Sequence, residues 1–302
     1  MQTTGSFSVI QPRTWLRGAA YRLRAYWTLI KSLQTGLLIL TAVAGYVSGC
    51  CLNPTAGSLA ALLGSLFLAV SGSTVLNMVY DRDIDARMRR TAHRPLPSGQ
   101  VTAAEALAVG LALSLGGLGW SFSLDLRYGA VVLAGVLLDV LVYTMLLKRR
   151  TAFSILLGGL SGGMPALAGR VLAVGEVDLL GGLLALGVLL WIPTHIMTFS
   201  IKYAEDYWAA GLPTFPTVYG VRVTRWIIAG STVLSVLVMV WAGAVMGVAS
   251  GIHIALAVLG VVLVGIVLVS IFRPTPGLNF MLYKGASIYM LLAMLFLIAG
   301  GL

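Results

Sequence analysis

Three oxygen-bearing side chains stand four residues apart in this sequence: Asn77, Asp81 and Asp85. On a continuous helix that spacing puts them on one face, each about 5–6 Å beyond the last. A ladder of one amide and two carboxylates suits a hard cation such as magnesium, which prefers oxygen ligands and commonly bridges to substrate phosphates. The stretch from Asn77 to Pro97 carries eight Asp and Arg residues, although only 10% of the chain is charged. Asp83 falls off the ladder face and is expected to pair with a nearby arginine. Arg87, Arg89, Arg90, His93 and Arg94 could neutralise a diphosphate before Pro95 and Pro97 turn the chain. Each of these cations taken singly is equally well explained as an anchor on the inner side of a membrane. An ordinary solvated helix end, with Asp and Arg paired one turn apart, would account for the charges but not for Asn77 on the same face.

A second acidic pair, Glu205-Asp206, follows Lys202-Tyr203 and precedes Pro213 and Pro216. Together the two stretches hold five of the ten acidic residues in the chain. Two acidic sites at one membrane face suit a pair of magnesium ions clamping one diphosphate, with Lys202 and loop arginines stabilising the leaving group. His195 lies about two turns before Lys202. A lone intramembrane histidine either bonds a neighbouring helix or serves a ligand. Asp139 and Arg170 also fall in apolar segments, where ionisable groups need partners or a cavity. Asp139 reads as a helper within a cavity, and Arg170 as interfacial.

The elements that position these residues are membrane spans. Apolar residues make up 59% of the chain, mean hydropathy is +0.96 and glycine reaches 36 of 302. A soluble globular domain is excluded by such a composition. Runs long enough to cross about 30 Å of hydrocarbon occur at about 26–50, 57–80, 102–123, 127–147, 152–173, 178–200, 224–247, 251–272 and 279–301. Nine helices put the two termini on opposite sides. Eighteen of the 20 Lys and Arg fall in the leader and the even-numbered connections, and only Arg127 and Arg170 lie on the other face. The positive-inside rule then predicts a cytoplasmic N-terminus, an outside C-terminus and a cell-membrane location.

The chain divides into a basic leader, 1–25, and one transmembrane domain, 26–302. The leader carries no acid and is spaced to form a short helix on an anionic membrane face; a mitochondrial transit peptide is the other reading of such a composition. Cys50 and Cys51 are adjacent and read as small apolar fillers. The net charge of +10 is spread over short loops rather than one soluble face, so no nucleic-acid partner is expected; the partner is the lipid bilayer.

From Asn77 to Gly99 the chain resembles the first signature of the UbiA-type intramembrane prenyltransferases, an Asn followed by Asp four and eight residues on. The wording Asp81 to Met88 and His93 to Gly99 resembles the protoheme IX farnesyltransferase branch. So do Tyr143-Thr144, Leu147 to Thr151, Gly158-Gly159, Gly162-Gly163 and Pro165, and the set Pro193, His195, Lys202-Tyr203, Asp206-Tyr207 and Ala210 to Pro213. The resemblance covers most of residues 27 to 225. It departs at Glu205, where the branch has Asp, and at Ala204, Ile196 and Met197, where the branch has a basic residue and bulky aromatics.

The resemblance implies an all-α protein of nine helices around a cavity opening to the cytoplasmic face. It implies magnesium held by Asn77, Asp81, Asp85 and Asp206, with Lys202 and Tyr203 also catalytic. Farnesyl diphosphate and heme b would be the substrates, with Arg82, Arg90, Arg94, Tyr143, Lys148, Arg149, Glu205 and His195 binding them. His195 would be a heme iron ligand or an acceptor-orienting group, Tyr143 and Tyr203 could steady a cation through their ring faces, and the product could pass to a heme A synthase. Other acceptors, a quinone precursor or a glycerol phosphate lipid, remain open. A transporter using Asp139, His195 and Arg170 as a relay is the rival from another class, but it would need ionisable groups near the midplane, where only Asp139 comes close. A non-catalytic assembly factor would not need Asn77, Asp81, Asp85 and Asp206 together.

Overall fold

The computed structural model describes residues 22–30, 32–49 and 55–302. The leader before Arg22, Lys31, the Cys50-Cys51 pair and the turn at Asn53-Pro54 lie outside the described residues. Long apolar runs favour helices in a bilayer, because no water is present there to satisfy free backbone groups. Among the described residues every regular element is helical.

The described residues begin with α1 (Arg22–Leu29) and continue through α2 (Ser32–Val47), α3 (Ala56–Tyr80), α4 (Arg82–Arg87) and α5 (Ala103–Leu124). Next come α6 (Leu126–Leu137), a π-helix over Leu138–Leu147, α7 (Ser154–Val174), α8 (Leu179–Lys202), α9 (Ala204–Ala209) and α10 (Phe215–Val218). Last are α11 (Gly220–Met246), α12 (Ser250–Phe272) and α13 (Pro276–Gly301). Eight of these segments are long and apolar enough to cross a membrane, counting α6 with the π-helix as one, and α1 with α2, bent by 49°, passes the same test as a ninth. The nine expected spans are therefore present. Two features go beyond that expectation: the fourth span changes its hydrogen-bond pattern at Leu138, and short helices follow the second and sixth spans.

Local chemistry sets the helix ends. Thr55 caps α3 by accepting from the Ser58 amide at 3.1 Å, and Thr102 and Glu105 form a reciprocal capping box at the start of α5. Such caps satisfy amides that have no partner within their own helix. Gly175, at φ 79°, closes α7 in the left-handed conformation that glycine adopts without steric cost.

Helices α2, α7, α8 and α13 pack in a closed circuit, and α3 with the π-helix extends it on one side. The α2–α7 contact is close because Gly45 and Gly169 face backbone: a Cβ on either would overlap the carbonyl of Ala166 or Ala42. Small residues permit such approach in bilayers, where packing rather than the hydrophobic effect holds helices together. Large apolar side chains such as Leu115, Leu237, Val261 and Phe272 stay exposed on the outside of the bundle. That exposure fits a lipid-facing surface.

Candidate active site

The chemistry-bearing residues converge where α3 meets α4. The long helix is interrupted at Asp81, whose backbone stands at φ −88° and ψ 3°. The helical hydrogen bonds nevertheless carry across the break: the Asp81 amide donates to Asn77 O at 2.9 Å and the Asp85 amide to Asp81 O at 2.8 Å. The ladder of Asn77, Asp81 and Asp85 thus keeps its stagger without one straight helix.

Each rung has a separate partner from another element. Asn77 donates through Nδ2 to Asp139 Oδ2 at 2.8 Å and accepts at Oδ1 from Thr144 at 2.8 Å. Ser73 donates to the same Asp139 oxygen at 3.0 Å. Asp139 and Thr144 both lie on the π-helix, whose wider repeat is seen where the Lys148 amide donates to Tyr143 O at 2.8 Å. Bulges of this type are frequent at functional sites. Asp139, expected to serve within a cavity, is thereby tied to the head of the first signature.

Asp81 and Asp85 are only 4% and 5% exposed, and a buried carboxylate is stable only with a counter-charge. Lys148 Nζ pairs with Asp81, and Arg94 Nη1 pairs with Asp85 at 2.8 Å. Burial works against the Lys148 ammonium, but Tyr143 and the Asp81 carboxylate raise its pKa above the ordinary lysine value. Lys148 therefore stays charged at neutral pH. Asp83, the carboxylate off the ladder, is held by Arg149 through contacts of 2.7 and 3.1 Å. Those bonds keep its carboxyl below the ordinary range.

Two adjoining spaces open from this cluster. One, about 200 Å3, is lined by Asp85, Arg90, Arg94, Lys148, Tyr207 and Thr214 among others. The other, about 320 Å3, is mostly apolar, with Leu38, Leu66, Val132 and Val136 in its wall and Asn77 and Asp139 at one side. Gln34, Tyr143, Ile155, His195 and Ile196 line both and mark their junction. Tyr143 can sit there because Gly158 faces its ring, and a Cβ on Gly158 would fall 2.8 Å from Tyr143 Cγ.

The two signature loops meet through Ile84, Met88, Ala210 and Leu212, all buried together with Tyr207 against them. The loops that follow spans two and six are therefore packed against each other. Of the second-signature residues, Tyr207, Leu212, Pro213 and Thr214 reach the basic chamber. Asp206 is half-buried and Glu205 exposed, and neither lines it. Lys202 turns to the rings of Tyr203 and Phe280, 5.2 and 4.7 Å from its ammonium. Tyr203 instead carries Arg90 at 5.5 Å, while Arg90 also covers Phe199 at 4.8 Å. Arg82 is exposed and stands outside both chambers. Among the described residues no three acidic, His or Cys groups are already gathered as a metal cluster. The donor set still suits a hard cation in part, because Asp81 Oδ1 is buried without a hydrogen-bond partner.

Several site residues carry no sequence signal. Tyr283 and Ser287 of α13 reach His195, whose ring stacks on Trp191 at 4.9 Å and on Tyr283 at 4.7 Å. Buried Asn279 donates to Thr198 O at 2.8 Å. Nothing near α13 in the chain announces these contacts, since the partners lie 81 to 95 residues away.

The helices are long enough to span a bilayer, and among them a basic chamber opens into an apolar one. The model of the UbiA prenyltransferase family matches residues 36–299. The protoheme IX farnesyltransferase of Korarchaeum cryptofilum (strain OPF8) is 43% identical over 209 residues, covering 69% of this chain and 70% of that protein. That of Pyrobaculum arsenaticum is 36% identical over 283 residues, covering 92% and 99%. Among solved structures, a digeranylgeranylglyceryl phosphate synthase superposes with a TM-score of 0.77 at 20% identity, over 93% of this chain and 98% of that one. A UbiA homolog from Archaeoglobus fulgidus bound to DMAPP and Mg2+ gives 0.69 at 17% identity, over 91% and 98%. The structural likenesses speak for the fold. The chain belongs to the UbiA prenyltransferase family, and it is a multi-pass membrane prenyltransferase.

Proposed function

We propose that this protein transfers the farnesyl group of farnesyl diphosphate to a vinyl group of protoheme IX, giving heme O. The observation that carries the chemistry is the stacking of a basic chamber on an apolar one, joined at Tyr143 and His195. The sequence relatives supply the acceptor, since they are protoheme IX farnesyltransferases at 36–44% identity.

In this reading Arg90, Arg94 and Lys148 receive the diphosphate, with Arg149 behind them and Arg82, Lys202 and Glu205 further out. The isoprenoid chain lies in the apolar chamber, whose walls keep water from the allylic carbon. Asn77, Asp81 and Asp85, with Asp206 on the neighbouring loop, would hold magnesium, whose charge would draw electron density from the diphosphate. Cleavage of the allylic carbon–oxygen bond leaves a farnesyl cation, and the Tyr143 ring at the junction is placed to steady it. The vinyl group attacks that cation to form the carbon–carbon bond. Water then adds to the cation left beside the porphyrin and loses a proton, giving the hydroxyethylfarnesyl side chain. His195 orients the porphyrin or ligates its iron, as imidazoles do in many heme sites. The charged-loop face is the cytoplasmic one, and the product passes to a heme A synthase.

Purified protein incubated with magnesium, farnesyl diphosphate and heme b should yield farnesylated heme by mass spectrometry. Prenylation of a quinone precursor or a glycerol phosphate lipid with heme untouched would overturn the acceptor while leaving prenyl transfer in place.

A further inference from the structure

His195 uses one ring nitrogen against the protein. Its Nδ1 lies 3.1 Å from Ser287 Oγ, and among the described residues no hydrogen bond reaches Nε2. The same Ser287 hydroxyl lies 3.1 Å from the Tyr283 carbonyl, to which it donates. A hydroxyl has a single proton, and a carbonyl oxygen can only accept. With that proton directed to Tyr283, Ser287 can meet His195 only as an acceptor. A neutral imidazole then carries its proton on Nδ1 and leaves Nε2 as a bare lone pair.

The surroundings hold the ring in that attitude. Trp191 stacks on it at an interplanar angle of 21° and Tyr283 at 27°. Trp191 is itself pinned by donating Nε1 to Ala286 O at 2.7 Å. Three residues from two successive turns of α13, Tyr283, Ala286 and Ser287, thus fix the tilt and edge of a histidine carried by α8 at the junction of the two chambers.

We infer that Ser287 is a positioning residue that sets the Nδ1–H tautomer of His195, so that Nε2 is presented to the prenyl acceptor as an electron-pair donor. For heme this is the form an iron ligand requires, and a partner on the opposite nitrogen is how such ligands are commonly oriented. The heme half of the inference rests on the acceptor proposed above; the tautomer half does not.

The chain has three histidines, His93, His195 and His253, so ring-nitrogen-labelled histidine in the full-length protein gives a spectrum simple enough to assign with His195→Gln. Wild type should show a protonated Nδ1 and an unprotonated Nε2 for His195. Ser287→Ala should lose that preference and Ser287→Thr should keep it. The alanine variant should also show a KM for heme raised about 10–100-fold, the usual effect of losing such a partner, with the KM for farnesyl diphosphate unchanged. A proton on Nε2 in wild type, or an unchanged tautomer in Ser287→Ala, overturns the inference. A shifted tautomer with an unchanged heme KM overturns its role in acceptor binding. The expected tautomer in a protein that leaves heme unmodified would uphold Ser287 as the tautomer-setting group and bring down the heme acceptor instead.

Discussion

Ion pairs occur at both ends of this bundle, and the two ends use them differently. At the end opposite the charged loops, Arg170 grips Asp178 through Nη2 at 2.7 Å and Nε at 3.1 Å, and also reaches the Ser48 carbonyl. Asp178 simultaneously caps α8 by accepting from the Gly181 amide at 2.9 Å. Burial alone would push the Asp178 carboxyl up, but the bonds from Arg170 and Gly181 bring it below the ordinary range. Every group there closes on helix ends, so the cluster reads as a staple. At the charged-loop end, Asp81–Lys148, Asp85–Arg94 and Asp83–Arg149 pair beside a chamber that Asp85, Arg94 and Lys148 line, and Asp81 Oδ1, Arg90 Nε and Arg149 Nε stay buried without hydrogen-bond partners. Unsatisfied buried polar atoms are costly and uncommon, and an ion or ligand that would meet them is one physical reason for their presence. Similar residue types thus yield a fastener at one end and a binding surface at the other.

Substitutions can break or sharpen that contrast. The largest effect is expected from Asp81→Asn, which keeps the shape but removes the buried charge. Farnesyl transfer followed by product mass should fall by about a hundred- to thousandfold, as when a principal electrostatic group is lost, while the protein still purifies folded. Lys148→Met comes next, with a KM for farnesyl diphosphate raised about 10–100-fold if the ammonium contributes a charge-assisted contact worth about 1.5–3 kcal/mol. At the other end, Asp178→Ala should cost about 1–3 kcal/mol of stability, the sum expected for a lost cap and a broken partly buried pair. Thermal unfolding in detergent would show it, and activity per folded molecule should be unchanged.

The smallest effect concerns Asp83. Its folded-state pKa is lowered, first by the hydrogen bond from Arg149. The pair therefore contributes stability above the ordinary carboxylate pKa of about 4 and loses it as pH falls through the folded-state value. With the Asp83 side chain 44% exposed, Asp83→Asn should lower stability by at most about 1 kcal/mol at neutral pH. Unfolding curves of variant and wild type should begin to approach each other below about pH 4 and meet only below the folded-state value.

What the sequence made legible depended on how local its cause was. The spans follow from apolar runs, and the Asn77–Asp81–Asp85 spacing survives because the i to i−4 bonds cross the break at Asp81. The pairing of Asp83 with an arginine and the need of Arg170 for a partner follow from the cost of unpaired charge. The π-helix was hidden, because Asp139, Tyr143 and Thr144 look the same in α and π geometry until Asn77 is seen binding two of them. The positions of Lys202, Glu205 and Asp206 were hidden too, since the way α9 lies is decided by Ala210, Leu212 and Tyr207 packing on the first signature. The α13 contribution at Tyr283 and Ser287 arises only from the closure of the bundle.

The contrast between the two ends is tested most directly by ligand-induced stabilisation. The shift in unfolding temperature produced by magnesium and farnesyl diphosphate would be measured in wild type, Asp81→Asn and Asp178→Ala. A shift of several degrees in wild type, retained in Asp178→Ala and abolished in Asp81→Asn, is the predicted result. Retention of the shift in Asp81→Asn, or its loss in Asp178→Ala, would contradict the assignment of binding to the charged-loop end.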